Sequence, residues 1–190
     1  RGKLSAHRRV IGSYSSLPEV MRFVNSREAQ KFAWLGTSCP DPFLRPTVSP
    51  LSVRWDPAGD VAQLRPALEK SLEQYAKDYA DYYKAHAIAD SPAMRDANPA
   101  VVLIPGIGMF GFGKSKTEAR ITTEFYTNAI HVMEGASALA DAEPIKEYSQ
   151  AGPAAPSSAF QCHLNYVALP TSEAFRIEYW ALEEAKLRRQ

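Results

Sequence analysis

Cysteine, net charge and long apolar runs are all scarce in this chain, and each shortage narrows the range of functions. Two cysteines among 190 residues are too few for a disulfide framework, so we expect a reducing, cytoplasmic setting. The formal net charge of +1 gives no electrostatic basis for binding nucleic acid or an anionic membrane. No apolar run approaches the roughly 20 residues that a membrane helix needs, and the start of the chain lacks a signal-peptide pattern.

The remaining composition is that of an ordinary globular protein. Apolar residues make up 45% and charged residues 23% of the chain, and the length is enough for one domain with a sizeable core. The first residue is Arg1 rather than Met. We therefore expect a fragment of a longer polypeptide.

The most distinctive stretch is rich in glycine and covers residues 100–118. An apolar run from Ala100 to Ile104 precedes several closely spaced glycines, and a helical pattern follows. Gly108 to Ser115, with the sequence GMFGFGKS, also fits the phosphate-loop pattern G-x-x-x-x-G-K-[ST] at every fixed position. In such loops successive backbone N–H groups surround a phosphate at a helix N-terminus.

Three observations favour a structural role for this stretch. Met109, Phe110 and Phe112 are bulky and apolar, as expected for a second short strand. No later apolar run ends in the acidic residue that would hold magnesium in a nucleotide-binding fold. Ser115 and Glu118 also form a capping box for the following helix. We predict strand, turn, strand and helix, and keep nucleotide binding as an alternative.

A proline-rich loop is the most site-like segment outside the glycine stretch. Pro40, Pro42 and Pro46 exclude a helix or a central strand there. The loop also carries our three candidate ligand-binding residues, which are Cys39, Asp41 and Arg45. An arginine at this place can bind a carboxylate or phosphate, and a cysteine becomes a nucleophile only beside a base. The alternative is a surface loop in which Asp41 pairs with Arg45.

Periodicity predicts the other elements. The predicted helices are one capped by Ser16, one from a Ser26 cap to Gly36, one of some 25 residues from Asp60, one over 117–135, a weak one over 138–148, and one from a Thr171 cap to about Arg189. Residues 51–55 alternate as a strand. Tyr75, Tyr79, Tyr82 and Tyr83 follow helical spacing, which indicates a half-buried packing face. We interpret His86 as a partner of the helix macrodipole.

Metal-ligating residues are not clustered in the sequence. Cys162 and His163 are the only adjacent cysteine and histidine. Two neighbouring side chains without a second cluster do not form a zinc site. We therefore predict no metal site in this chain.

The stretch VVLIPGIGMFGFGKSKTEARITTEFYTNAI resembles the closing part of class II aldolase and adducin-type domains. There an apolar strand leads into a His-Gly pair, a short strand, a Gly-Lys-Thr-like turn and a helix. The resemblance implies that the histidine position is a metal ligand. In this chain Ile107 occupies that position, and a hydrocarbon side chain cannot coordinate a metal.

Together with LGTSCPDPFLR and EAFRIEYWALEEAKLRR, this stretch resembles the bifunctional rhamnulose-1-phosphate aldolase/short-chain dehydrogenase family over residues 18–189. The resemblance implies an α/β fold with a mixed sheet flanked by helices. It also implies that residues 1–150 form an aldolase-like domain lacking its N-terminal part, and that 151–190 connect it to a dehydrogenase domain. The family loop PDHFLRTK appears here as PDPFLRPT, so its histidine and lysine are replaced.

The implied activity of the parent protein is cleavage of rhamnulose 1-phosphate, followed by oxidation of the resulting lactaldehyde. A divalent metal and NAD(P) are expected there, and neither is expected in this chain, for which we predict no catalytic residue. The expected partners are the remainder of the polypeptide and other copies of it. We expect the isolated chain to be inactive. A non-catalytic scaffold or oligomerisation module is the other main alternative.

Overall fold

The computed structural model describes Leu4 and residues 9–39, 47–139, 161–163 and 165–180, with only the backbone of 161–163. The described strands are β1 (Ile11–Ser15), β2 (Leu51–Ser52), β3 (Val101–Ile104), β4 (Gly108–Gly113), β5 (Gln161–His163) and β6 (Tyr166–Ala168). The described helices are α1 (Pro18–Val24), α2 (Ala29–Leu35), a 3-10 turn (Val61–Gln63), α3 (Leu64–His86), α4 (Lys116–Ala138) and α5 (Thr171–Glu178).

Four of the strands form one mixed sheet in the order β1-β4-β3-β2. β4 pairs antiparallel with both β1 and β3, whereas β2 pairs parallel with β3. β5 and β6 form a separate antiparallel pair. The prediction of an α/β protein with a mixed sheet and flanking helices is therefore confirmed in its architecture.

The central strand β3 divides the core into two layers. All four of its residues are buried, and alternation sends successive side chains to opposite faces. Val101 and Leu103 pack with α1, α2, α4 and β6. Val102 and Ile104 pack with β2 and α3. An uninterrupted apolar run is what a strand covered on both faces requires.

Two helix starts differ from the prediction. Helix α1 begins at Pro18 with Leu17 in the N-cap position and no side-chain cap. The proline ring forces the preceding residue into an extended conformation, and this moves the start past Ser16. Helix α2 begins at Ala29 after Glu28, because the Ser26 carbonyl takes part in a turn with the Ala29 N–H group.

Helix α2 ends as predicted at Gly36. The φ angle there is 83°, and a Cβ atom would lie 2.7 Å from the Val48 carbonyl oxygen. Only glycine fits this left-handed conformation and close approach.

The later elements also differ at their ends. The strand predicted over 51–55 is restricted to Leu51–Ser52. The C-terminal helix predicted to reach Arg189 ends at Glu178, and its N-cap is Pro170 rather than Thr171. Residues 140–160 and 181–190, with the weak helix, most of the connection and the proposed boundary at residue 150, lie outside the described residues. No described helix combines the length and apolar character needed to cross a bilayer.

Candidate functional site

The turn between β3 and β4 is held by groups from three other parts of the chain. The Gly106 N–H donates a hydrogen bond to Asn25 Oδ1 at 2.7 Å. Tyr14 Oη donates to the Ile107 carbonyl oxygen at 2.7 Å. A Cβ atom on Gly106 would lie 2.5 Å from Pro57 Cβ. The Gly106 N–H and the Ile107 carbonyl oxygen are thus bound by the protein itself.

This turn does not fit a divalent metal. Ile107 stands where the resembling family has its ligand, and its half-buried side chain packs against the α3 layer of the core. The described part of the chain contains no group of three or more His, Cys, Asp or Glu side chains that could hold a metal ion. A zinc or calcium site needs several such ligands, so no catalytic step through a metal is assigned to these residues.

The phosphate-loop alternative fails on backbone geometry. Gly108–Gly113 is strand β4, and each of its residues is paired with β1, β3 or both. Its backbone groups therefore belong to a sheet and do not line a loop. Ser115 Oγ accepts from the Glu118 N–H at 3.2 Å, and Glu118 Oε2 accepts from the Lys114 N–H at 2.8 Å. The predicted capping function is confirmed, with Glu118 reaching one residue further back than expected.

The proline-rich loop is described only at its start. Cys39 is exposed, and its carbonyl oxygen accepts a hydrogen bond from Thr37 Oγ1 at 3.2 Å. Tyr166 Oη donates to the Gly36 carbonyl oxygen at 2.8 Å, which ties the loop to β6. Asp41 and Arg45 lie outside the described residues. Ligand binding by Cys39, Asp41 and Arg45 stays a prediction.

The most polar part of the interior was not predicted. Glu178, the last residue of α5, has no exposed surface. Tyr79 Oη donates to Glu178 Oε1 at 2.6 Å, and Tyr82 Oη donates to Oε2 at 3.2 Å. Because the Tyr79 proton is used in this way, Tyr179 Oη donates to Tyr79 Oη at 2.7 Å. Tyr179 in turn accepts from the Arg95 N–H at 3.2 Å.

The protonation of these tyrosines suits their function as donors. Burial, reinforced by the Glu178 carboxylate, raises the pKa of Tyr79 and of Tyr82 far above the usual value near 10. Both hydroxyls therefore keep their protons at physiological pH. A carboxylate at a helix C-terminus is disfavoured by the helix dipole, and the two hydroxyl donors offset that cost.

The packing face formed by the tyrosines is confirmed, whereas their hydroxyl partners were missed. Tyr75 and Tyr79 are buried. Tyr82 packs edge-on and Tyr83 packs at a tilt against Phe175, each at a ring-centroid distance of 5.7 Å. The sequence signal was the position of Glu178, three residues after Phe175 on the apolar side of a helix. A carboxylate on that face requires buried donors.

His86 has a different environment from the one predicted. Its Nε2 atom lies 3.0 Å from Thr171 Oγ1, and its ring packs against Tyr82 and Phe175. Burial lowers the pKa of His86, which favours the neutral ring over the cation that a helix dipole would attract. His86 therefore contributes to the contact between α3 and α5.

The hydrogen bonds around Glu178 join α5 to α3. The Glu178 carboxylate has no exposed surface, and among the described residues it accepts hydrogen bonds from Tyr79 and Tyr82. A described groove of 480 Å³ lies elsewhere, between the outer edge of β1 and one side of α4. Its lining comprises Ser13, Tyr14, Ser15, Ser16, Leu17, Pro18, Arg120, Thr123, Glu124, Thr127 and Asn128.

Sequence comparison relates the chain to known proteins. Residues 1–187 match the family described as "Aldolase class II, second domain". The chain is 31% identical over 188 residues to "Uncharacterized oxidoreductase YuxG" of Bacillus subtilis (strain 168). The match covers 98% of this chain and 24% of that relative, so the chain spans about a quarter of the relative's length. No solved structure matches.

The family match covers nearly the whole chain, including the hairpin, α4 and α5. The chain belongs to the family of aldolase class II second domains.

Proposed function

We propose that this chain is the second aldolase-like domain of a bifunctional sugar-phosphate aldolase/short-chain dehydrogenase and that it is inactive on its own. In the whole protein, the aldolase part cleaves a ketose 1-phosphate such as rhamnulose 1-phosphate, and the dehydrogenase part oxidises the lactaldehyde formed. The divalent metal and NAD(P) bind in those parts, and the protein works in the cytoplasm. Residues 1–150 are the aldolase-like region, and 151–190 lead towards the dehydrogenase.

The observation that carries this proposal is the turn at Ile107. The order of strand, turn, strand and helix is that of the resembling aldolase segment, but the side chain at the ligand position is a hydrocarbon. The Gly106 N–H and the Ile107 carbonyl oxygen are bound by Asn25 and Tyr14. The name of the YuxG relative supports an oxidoreductase activity elsewhere in the polypeptide. A divalent metal bound in another domain would supply the Lewis-acid chemistry of the aldol cleavage.

The residues of this chain contribute by holding α5 in one position. The hydrogen bonds from Tyr79 and Tyr82 to Glu178 join α5 to α3 across about 100 residues of sequence. Since α5 lies within residues 151–190, the region that leads towards the dehydrogenase, a fixed α5 sets where the next domain starts. This is a positioning function, because no substrate atom reaches Glu178.

The test uses the longer protein and the 190-residue chain side by side. We expect the longer protein to release dihydroxyacetone phosphate from rhamnulose 1-phosphate and to reduce NAD(P) with lactaldehyde. Its Ile107→Ala variant is expected to keep the cleavage activity within about threefold, since no metal ligand is removed. The 190-residue chain is expected to cleave nothing and to contain no stoichiometric zinc.

Two results would overturn the proposal. Metal-dependent cleavage by the 190-residue chain would show a complete active site within it. A longer protein that neither cleaves the sugar phosphate nor reduces NAD(P) would exclude the bifunctional assignment. The coding sequence on both sides of this segment gives an independent check, because a His-x-His pair is expected upstream and a glycine-rich dinucleotide-binding turn downstream.

A scaffold or oligomerisation module is the second candidate, and one observation favours it. The edge strand β1 and the adjoining turn expose Ile11, Tyr14 and Leu17, which a solvated edge strand usually avoids. Under this candidate the Ile107→Ala variant is also active, but disruption of the β1 edge changes the assembly.

A further inference from the structure

We propose that two copies of this chain associate through the free edge of β1, so that the two four-stranded sheets join into one. β1 is at the end of the strand order, and no other strand of the described ranges pairs with its outer side. The strand contains no lysine, proline or bulge that would protect such an edge. This inference rests on the same exposed edge as the second candidate function, and it does not depend on the substrate.

The side chains of β1 are complementary to a second, antiparallel copy of the same strand. A two-fold axis through Ser13 places Tyr14 opposite the partner's Gly12 and Ile11 opposite the partner's Ser15. Each large residue thus faces a small one. Tyr14 and Ile11 are 53% and 42% exposed, and both would lose this exposure. An isologous interface requires this kind of self-complementarity.

The face of β1 that carries Gly12 and Tyr14 supports this register. Gly12 and Tyr14 pair with Phe112 and Phe110 of β4, and Tyr14 lies 5.0 Å from the Phe110 ring. The Phe112 ring covers the open side of Gly12, where a Cβ atom would be 3.0 Å away. The partner's Tyr14 therefore arrives beside Phe112 and extends an aromatic row across the axis, as cross-strand pairs favour.

The opposite face brings the two copies of α4 together. Ser13 pairs with Gly111, whose missing Cβ would touch Thr123 of α4, so α4 packs across β4 and β1. Adjacent strands are about 4.8 Å apart, so the two α4 axes would lie two to three strand spacings, or roughly 10–14 Å, from each other. The lower end of that range is the usual distance between packed helices.

The side of α4 that would face the partner copy carries a positive and a negative side chain, which an ion pair between the two copies requires. Arg120 and Glu124 are one turn apart, form an ion pair and line the groove beside β1. In an antiparallel arrangement each Arg120 lies within one helical turn of the partner's Glu124. The partner's strand and helix would occupy the 480 Å³ groove. This self-complementary pattern favours a second copy of the chain over a strand from a different protein.

A cysteine cross-link tests the register directly. Ser13→Cys places two thiols opposite each other on the axis, at a Cα separation of about 4.5–5.5 Å that a disulfide can span. Ile11→Cys, the matched control on the same face, places its two thiols about 13 Å apart. We expect the Ser13→Cys protein to form a covalent dimer on mild oxidation. Because Cys39 is exposed, cross-linking of the wild-type chain and of the Ile11→Cys protein measures the background of the assay.

Charge reversal tests the helix contact. Arg120→Glu and Glu124→Arg are each expected to weaken the dimer at least about tenfold in analytical ultracentrifugation. The double reversal is expected to restore it, and thermal melting monitors folding of each variant. Ile88→Lys, at an exposed site away from the groove, is expected to leave the dissociation constant unchanged.

Three outcomes would overturn the proposal. The first is a wild-type chain that stays monomeric up to about 100 µM, a limit that corresponds to association weaker than about 5.5 kcal/mol. The second is equal cross-linking of the Ser13→Cys and Ile11→Cys proteins. The third is a dimer that is insensitive to both single charge reversals, which would place the interface elsewhere.

Discussion

Tyr79 donates a 2.6 Å hydrogen bond to the carboxylate of Glu178, although the two residues are 99 positions apart. Both side chains are buried, and the bond joins the middle of α3 to the end of α5. Hydrogen bonds to a buried charged acceptor are among the stronger ones in proteins. The attachment of α5 therefore depends on a polar contact as well as on apolar packing.

Glu178→Gln and Tyr79→Phe are expected to destabilise the chain, each by about 1.5–3 kcal/mol, because each leaves part of the hydrogen-bond chain unsatisfied. The double variant is expected to lose less than the sum, with a coupling free energy of at least about 1 kcal/mol. Urea unfolding of the four proteins measures this cycle. Strictly additive losses would show that the two side chains do not interact in solution.

Tyr126→Phe is the matched control for this cycle. Tyr126 is as buried as Tyr79, but its hydroxyl has no hydrogen-bond partner among the described residues. Burying an unpaired hydroxyl is unfavourable. Its removal is therefore expected to leave the free energy of unfolding unchanged or to raise it by up to about 1 kcal/mol. A loss as large as that of Tyr79→Phe would mean that Tyr126 has a partner as well.

Gly111→Ala and Gly135→Ala are expected to have opposite effects. A Cβ atom on Gly111 would lie 2.3 Å from Thr123 Oγ1 and 2.8 Å from its backbone nitrogen, so β4 and α4 would have to separate. We expect a loss of about 1–3 kcal/mol. Gly135 is within α4 and has open space around it, so alanine is expected to stabilise by about 0.5–1 kcal/mol. Thermal melting of both variants gives the comparison.

Local patterns were sufficient for the hairpin and its helix. The apolar run of β3, the alternation in β4 and the capping pair of Ser115 and Glu118 are all short-range signals, and all three appear in the structure. The rejection of a phosphate loop followed from the same residues. Helix starts were less predictable. Pro18 forces Leu17 into an extended conformation, whereas the capping rule considers only which side chain can cap the helix.

Long-range polar contacts could not be predicted from local patterns. The tyrosine spacing on α3 indicated a packing face, but nothing near those residues pointed to Glu178 as their acceptor. That pairing depends on how α5 docks on α3, which is a property of the tertiary fold. Of the three predicted ligand-binding residues, Asp41 and Arg45 lie outside the described residues, so the proposed loop site remains a prediction.

Ser115→Ala is expected to lower the free energy of unfolding by about 1 kcal/mol, because its hydroxyl caps the first turn of α4. Ser137→Ala is the control near the other end of the same helix. Ser137 Oγ donates to the Met133 carbonyl oxygen within the helix, a contact that adds little to helix stability. Its change is expected to be within about 0.5 kcal/mol of zero. Equal losses for the two variants would contradict the capping function of Ser115.

His86 makes stability depend on pH. Burial lowers the pKa of His86 in the folded chain below its usual value of 6.5, so the unfolded chain binds the proton more readily. The contribution of His86 to stability is therefore greatest when pH is above 6.5. It declines as the pH falls through that value and becomes constant below the folded-state pKa.

His86→Gln isolates this contribution, since the amide can still reach Thr171 Oγ1 but does not titrate. The difference in unfolding free energy between wild type and variant is expected to rise from about pH 5 to about pH 8, with a slope of at most about 1.4 kcal/mol per pH unit. Urea unfolding at several pH values measures it. A difference that falls with increasing pH would mean that the folded chain stabilises the protonated ring, as a partner of the α3 dipole would require.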